Sequence, residues 1–325
     1  MNTTRRIRVG LYGTNGHQVQ HAVAKQADAE LTAVAGFAAE AIPPGLQPKV
    51  CGSLDELLAI EEVELISLCS PRRCDQGRDA VKCLRAGKHV YAEKPCATTE
   101  ADLDSILLAA RETGCHFHEM AGTVVEQPYM TLRRAVRSGA IGEVVQVLAQ
   151  KSYPWHDRRP SDEAVDGGLA MQAGIYALRF VEHIAGVKVA SIRLAETAFG
   201  NPLGNQCRMA CSMLMTLENG GVASAICNYL NPLGRSLWGY EIVRIFGTQG
   251  LVESNMDGKR ARLIQTGREP LDLDQSEPSR NYFDCYVEAL LGRSAMPLTT
   301  EEELSCTRWV IRAKQTLAAA HDGVA

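Results

Sequence analysis

A chain of 325 residues, 46% hydrophobic and 22% charged, is long enough for two domains of about 100–200 residues each. A net charge of -4 and an isoelectric point near 6.1 argue against general nucleic-acid binding, which needs a basic stripe. Eleven cysteines, odd in number and set in apolar runs (Cys69, Cys83, Cys227, Cys285), do not make the short, even-numbered framework of a secreted disulfide protein. They point to reduced thiols in a cytoplasmic protein. No stretch approaches the roughly 18 apolar residues of a membrane helix, and no signal-peptide core follows the N-terminal charges. Arg5, Arg6 and Arg8 flank the first apolar run and read as a solvated strand edge.

Taken in chain order, Ile7 to Tyr12 is a short apolar strand that ends in the glycine cluster GTNGHQ. A helix is expected from Gln18 to Gln26 and a second strand from Leu31 to Phe37. Strand, glycine turn, helix, strand opens a βαβ unit. The alternation continues with a helix at Ser53 to Ala59, a strand at Glu64 to Cys69, a helix at Asp75 to Ala86 and a strand at Lys88 to Ala92. Thr99 caps a helix that runs to Thr113 and stops at Gly114, and His116 to Met120 is the last strand of this half. Apolar strands alternating with amphipathic helices predict an N-terminal Rossmann-type, doubly wound parallel sheet over residues 1–122.

Beyond about residue 122 the rhythm changes. After a helix at Gln127 to Ser138, strands are expected at Val144 to Tyr153, Val187 to Thr197, Arg208 to Leu217, Val222 to Tyr229 and Tyr240 to Phe246, with a helix at Leu169 to Ile184 between the first two. Strands without intervening helices predict an α+β domain over 123–325, built on a large, mostly antiparallel open sheet. Asn281 to Leu291 and a helix after Thr299, with Glu302 completing its capping box, close the chain. That final helix, about 300–320, is expected to pack back on the first domain.

A dinucleotide turn asks for G-x-G-x-x-G after the first strand, because the backbone must turn tightly and let a pyrophosphate approach. Here Gly13, Thr14, Asn15, Gly16, His17 and Gln18 occupy it, so Asn15 and Gln18 replace the second and third glycines. Asn tolerates left-handed angles, which keeps the turn possible. The acidic residue that would hold the ribose of NAD is absent after the second strand, where Gly36, Phe37, Ala38 and Ala39 stand, and so is an arginine for NADP. The preference between NAD and NADP is not readable.

Ala86-Gly87-Lys88-His89-Val90-Tyr91-Ala92-Glu93-Lys94-Pro95 places a lysine at the carboxyl edge of a parallel strand, where ligands bind in open α/β sheets. This run resembles the AGKHV…EKP signature of the glucose–fructose oxidoreductase, inositol dehydrogenase and rhizopine-catabolism (Gfo/Idh/MocA) family. Leu65 to Pro71 is similar to that family's strand ending in Thr/Ser-Pro, and Arg137 to Glu143 to its GxIGE link. Gly167 to Tyr176 matches the landmark Gly-Gly-x-x-x-Asp-x-Gly-x-His, with Gln172 in place of the aspartate and Tyr176 in place of the histidine. Tyrosine there is similar to the glucose–fructose oxidoreductase and dihydrodiol dehydrogenase branches.

The resemblance implies an NAD(P)-dependent oxidoreductase that moves a hydride between a nicotinamide and a sugar, polyol or related cyclic alcohol. It implies Lys94 and Tyr176 as catalytic residues, and a cis Lys94–Pro95 bond. Gly13, Thr14, Asn15, Gly16, Phe37, Ser70, Pro71, Glu93 and Lys94 would contact the cofactor. Lys94, Trp155, His156, Gln172 and Tyr176 would contact the substrate, with Arg158 or Arg159 beside them. The chemistry suits these types: alcohol oxidation needs a base, a phenol of pKa near 10 is a poor one, and a nearby ammonium favours the phenolate. Gln172 and Tyr176 are four apart, so on a helix they share a face. The resemblance also implies that the open sheet pairs subunits in a homodimer or homotetramer. The altered glycine run, the missing acid and Gln172 keep open a second reading, a catalytically silent relative that binds a small ligand. Cys207 with Cys211, and His116 with His118 and Glu119, lack a second pair at metal-binding spacing, so no metal site is expected. The expected partner is a small molecule, with neither nucleic acid nor membrane expected.

Overall fold

The computed structural model describes residues 5–232, 238–255 and 260–322. The chain divides into two compact units: Met1–Ala121 with Ala164–Asp166 and Arg280–Leu304, and Gly122–Glu163 with Gly167–Ser279 and Ser305–Ala325.

The first unit holds a six-stranded parallel sheet. Its strands are β1 (Ile7–Tyr12), β2 (Ala29–Ala35), β3 (Lys49–Cys51), β4 (Leu65–Leu68), β5 (His89–Ala92) and β6 (Phe117–Glu119), in the order β3-β2-β1-β4-β5-β6. Between them run α1 (Gln20–Lys25), α2 (Leu54–Leu58), α3 (Gln76–Arg85) and α4 (Glu100–Thr113). Every residue of β4 is buried, as expected of a central parallel strand covered on both faces. The expected doubly wound sheet is present, with its switch point between β1 and β4. Ser53 caps α2 by accepting from the Glu56 N–H at 3.2 Å, and Thr99 caps α4 from the Asp102 N–H at 3.1 Å. Gly114 ends α4 in the left-handed region. Arg5 and Arg8 pair with Glu64 at the sheet margin.

Helix α1 begins two residues later than expected. The Gln18 amide is drawn out of the helix instead: its Nε2 donates to the carbonyls of Gly13 at 3.0 Å and Ser67 at 3.2 Å. The three-residue edge strand β3 carries no periodic signal and was not anticipated.

The second unit opens with α5 (Tyr129–Arg137), which starts after a cis Gln127–Pro128 bond rather than at Gln127. Its eight-stranded sheet contains β7 (Val144–Pro154), β8 (Val189–Thr197), β9 (Ala210–Leu217), β10 (Val222–Asn231), β11 (Tyr240–Gly247), β12 (Gly250–Asn255), β13 (Arg260–Gln265) and β14 (Leu271–Asp272). The order is β14-β13-β12-β11-β7-β10-β9-β8. Pairing is antiparallel except between β7 and β10, so the expected mostly antiparallel sheet is found, extended by β12–β14. Between β7 and β8 lie α6 (Glu163–Asp166) and a continuous helical segment, π-helical at Ala170–Gly174, α-helical at Ile175–Arg179 (α7) and π-helical again at Phe180–Ile184. The segment packs on β7 and β10. Helices α8 (Tyr282–Leu290) and α9 (Thr300–Asp322) end the chain. Thr299 and Glu302 make the expected reciprocal cap.

Candidate active site

In the first unit the expected cofactor residues follow the carboxyl ends of β1, β2, β4 and β5. Gly13 has φ +71° and Gly16 φ +123°. A Cβ on Gly13 would overlap the Cys69 carbonyl oxygen, and one on Gly16 the Glu93 carboxylate, so only glycine fits either place. Asn15 stitches the turn down, its Nδ2 donating to the Pro71 carbonyl at 3.1 Å and the Val165 carbonyl at 2.7 Å. Thr14 and Gly16 remain exposed. Phe37 follows the left-handed Gly36 at the end of β2 and is half-buried.

Three residues that sequence reasoning passed over hold this edge together. Gln76 donates from Nε2 to the Glu93 carbonyl and, at 2.9 Å, to the Pro95 carbonyl, and its Oε1 accepts from the Ser70 N–H at 3.1 Å. Arg73, buried beneath the turn, donates to the Asn15 carbonyl at 2.6 Å. His17 donates its N–H to Glu93 Oε2, and its Nδ1 lies 2.9 Å from the same oxygen. Ser70 is itself buried, its Oγ donating to Asp79 at 2.8 Å.

Glu93 accepts the Lys94 N–H at 2.8 Å. Its burial alone would raise its pKa, but the His17 hydrogen bond and the positive charges of Lys94 and Arg73 outweigh that and lower it to about 2. Glu93 is therefore a fixed buried anion beside the glycine turn. Lys94, 3% exposed, follows β5 directly, and the Lys94–Pro95 bond is cis. A turn that only glycine fits, with exposed Thr14 and Gly16 beside the Ser70–Pro71 turn, suits the close backbone approach of a dinucleotide.

In the second unit, Gln172 and Tyr176 are the only residues from Leu169 to Ala185 that are not buried. They lie on either side of the junction between the π-helical turn and α7. Tyr176 lines a cavity of about 170 Å³ together with Tyr129, Lys151, Phe180, Glu241 and Glu126, among others. Lys151 Nζ lies 4.6 Å from the centre of the Tyr176 ring and is ion-paired with Glu241. Tyr129 donates its hydroxyl to Glu241 at 2.8 Å, and burial pushes the Tyr129 pKa up. Lys151, Glu241 and Tyr129 carry no local motif; the pairing of β7 with β11 and the hydrogen bond from α5 make them neighbours.

Trp155 and His156 follow β7 on the same unit. His156 stacks on Trp238, ring centres 5.8 Å apart; its pKa is lowered by burial and by the charges of Arg159 and Arg158. Arg159 is committed elsewhere, its guanidinium 3.5 Å from the centre of the Tyr229 ring, whereas Arg158 is exposed. His118 is paired with buried Glu303 at 2.9 Å, and His116 packs on His89. Among the described residues no group of three His, Cys, Asp or Glu side chains is placed to hold a metal. None of the eleven cysteines is in a disulfide. Among the described residues no helix is long and apolar enough to cross a membrane.

A parallel sheet with a glycine turn at its switch point is the architecture of the nucleotide-binding α/β class. Residues 7–120 match the oxidoreductase family NAD-binding Rossmann fold, and residues 129–253 match the GFO/IDH/MocA C-terminal domain. The chain belongs to the GFO/IDH/MocA oxidoreductase family, and its first unit is the family's NAD-binding domain. It is 30% identical over 195 residues to a dTDP-3,4-didehydro-2,6-dideoxy-alpha-D-glucose 3-reductase of Streptomyces violaceoruber, covering 57% of this chain and 56% of that one. It is 30% identical over 141 residues to the trans-1,2-dihydrobenzene-1,2-diol dehydrogenase of Bos taurus, covering 43% and 42%. The chain thus spans about half the length of these curated relatives. The fold is shared with the WlbA dehydrogenase of Bordetella pertussis, solved with NADH and UDP-GlcNAcA, at a TM-score of 0.81, 18% identity and 97% coverage of each chain.

Proposed function

We propose that the protein oxidises or reduces a CH–OH carbon of a sugar, polyol or related cyclic alcohol with NAD(H) or NADP(H). The observation that carries this reading is the placement of Lys94: a nearly buried ammonium at the carboxyl end of β5, behind a fixed Glu93 anion. Gly13 to Gly16, Phe37, Ser70, Pro71, Glu93 and Lys94 would hold the cofactor. When bound, the nicotinamide supplies or takes up the hydride. The Lys94 ammonium orients the reacting oxygen and stabilises the negative charge it acquires. Tyr176 takes the hydroxyl proton during oxidation and returns it during reduction. Gln172 positions a neighbouring hydroxyl through its amide. Trp155 stacks on the ring of the substrate, and His156 binds one of its hydroxyls.

The relatives are named for a nucleotide-sugar reductase and a dihydrodiol dehydrogenase, which supports a ring-bearing alcohol. Leu148, Leu214 and Ile226, exposed on one face of the second sheet, support pairing of two copies into a homodimer or a homotetramer. Cysteines of which none is in a disulfide favour work in the cytoplasm.

Thermal melts with NADH and with NADPH, followed by turnover of an aldose, inositol and dihydrodiol panel, test the reading. Binding to the folded state raises the melting temperature, and Lys94→Ala is expected to lower kcat at least 10²-fold. Undiminished turnover in Lys94→Ala would sink the mechanism, and no melting response to millimolar cofactor would sink the oxidoreductase reading.

A further inference from the structure

We propose that Lys151 is a positioning residue for Tyr176, holding a fixed positive charge against the phenol so that its anion forms more readily; this rests on Tyr176 being the proton-transfer group. Lys151 lies on β7 and is 8% exposed. Its Nζ sits 4.6 Å from the centre of the Tyr176 ring and 5.0 Å from that of Tyr153. Glu241, its direct partner in register on β11, pairs with the ammonium. Tyr129 of α5 donates to the other oxygen of that carboxylate. Three elements thus fix one ammonium where a flexible lysine would otherwise sample many rotamers at an entropic cost.

The placement is more than a strand-to-strand ion pair. A largely desolvated pair seldom adds stability over apolar residues of equal volume, so its position against the half-buried Tyr176 phenol calls for another account. Charged and titratable groups facing Tyr176 among the described residues include Lys151 from β7, Arg179 from its own helix at 5.2 Å, Tyr129 from α5, Tyr153 from β7, and the carboxylates Glu241 and Glu126 that line the shared cavity. Glu241 is held by Lys151 and Tyr129, and Glu126 is exposed. The Lys151 ammonium, 4.6 Å from the ring centre and itself 8% exposed, favours the phenolate over the phenol.

The test reads the ionisation of Tyr176 directly and needs no substrate. Tyrosinate absorbance of the full-length chain is titrated with pH, and the Tyr176→Phe curve is subtracted from the wild-type curve. The same subtraction is made between Lys151→Met and Lys151→Met/Tyr176→Phe. The midpoint is expected to rise by about one pH unit in Lys151→Met, a tenfold loss of phenolate at fixed pH, and to stay in place in Lys151→Arg. Lys151→Met/Glu241→Gln, which leaves no half-buried carboxylate without its cation, serves if the single variant does not fold; there the rise is smaller, about threefold. An unmoved midpoint in whichever methionine variant folds overturns the role of Lys151. Turnover of Tyr176→Phe separates the two ideas. Full activity would overturn the reading of Tyr176 itself, whereas an inactive Tyr176→Phe beside an unmoved midpoint overturns only the assignment of Lys151.

Discussion

Glu93 ties the glycine turn to β5 by charge as well as by shape. Its pKa is about 2 in the folded chain against an ordinary 4.5, so the folded state binds fewer protons than the unfolded chain between those values. The resulting stabilisation is complete above the unfolded value, falls as the pH drops below it, and is gone once the pH passes below about 2. A difference of that size corresponds to ~3 kcal/mol. Urea midpoints of wild type and Glu93→Gln should therefore differ clearly at neutral pH and converge in acid; parallel curves at all pH values would contradict it. Gly16→Ala should act at the same place. A left-handed backbone and a methyl against the Glu93 carboxylate cost about 1–3 kcal/mol, and the melting response to NADH should shrink with the loss of the turn's shape. At this scale the sequence was informative where chemistry is contiguous. Gly13, Gly16, Glu93 and Lys94 sit in short readable motifs. His17, Gln76 and Arg73 went unnoticed because polar side chains near a turn have no signature until the carbonyl they serve is known.

Elements were legible to the extent that local periodicity decides them. The strands and helices of the parallel sheet follow from apolar runs punctuated by caps and glycines. What escaped was set by tertiary context: the delayed start of α1, claimed by Gln18, and the two π-helical turns that flank Ile175–Arg179. The short strands β12 to β14 escaped too. Two glycines test how tightly these elements are fitted. A Cβ on Gly247, at the end of β11, would strike the Ile141 carbonyl oxygen, while one on Gly174 would meet the terminal methyl of the buried Met213 side chain. Backbone cannot yield as a thioether tip can. Gly247→Ala should cost about 2 kcal/mol or more and Gly174→Ala about 1 kcal/mol or less, read as urea midpoints at unchanged slope. Equal losses would show that the β11 corner is softer than its geometry.

For the molecule as a whole, the change from alternating elements to consecutive strands near residue 122 was enough to specify a parallel sheet followed by a mostly antiparallel one. Strand order was not legible, because nothing in Val144–Pro154 announces that its neighbours will be β10 and β11. Nor could Lys151 and Glu241, 90 residues apart, be recognised as a pair without that order. The outer face of the same sheet carries a prediction. Leu214 is 58% and Ile226 41% exposed, on neighbouring strands. Charged residues there should oppose association, so Leu214→Glu/Ile226→Lys is expected to sediment as a monomer while keeping its wild-type circular dichroism. A wild type that is already monomeric would remove the proposed pairing.

The central position of β7 has a further consequence for how the chain is made. Its two neighbours, Val222–Asn231 and Tyr240–Gly247, are both translated after it. As the polypeptide leaves the ribosome, β8 and β9 can close on each other as a hairpin, while β7 waits with both of its edges unclaimed. Nascent chains stalled before Val222 should therefore carry an adhesive ribbon that chaperones would shield, and chains stalled beyond Gly247 should not.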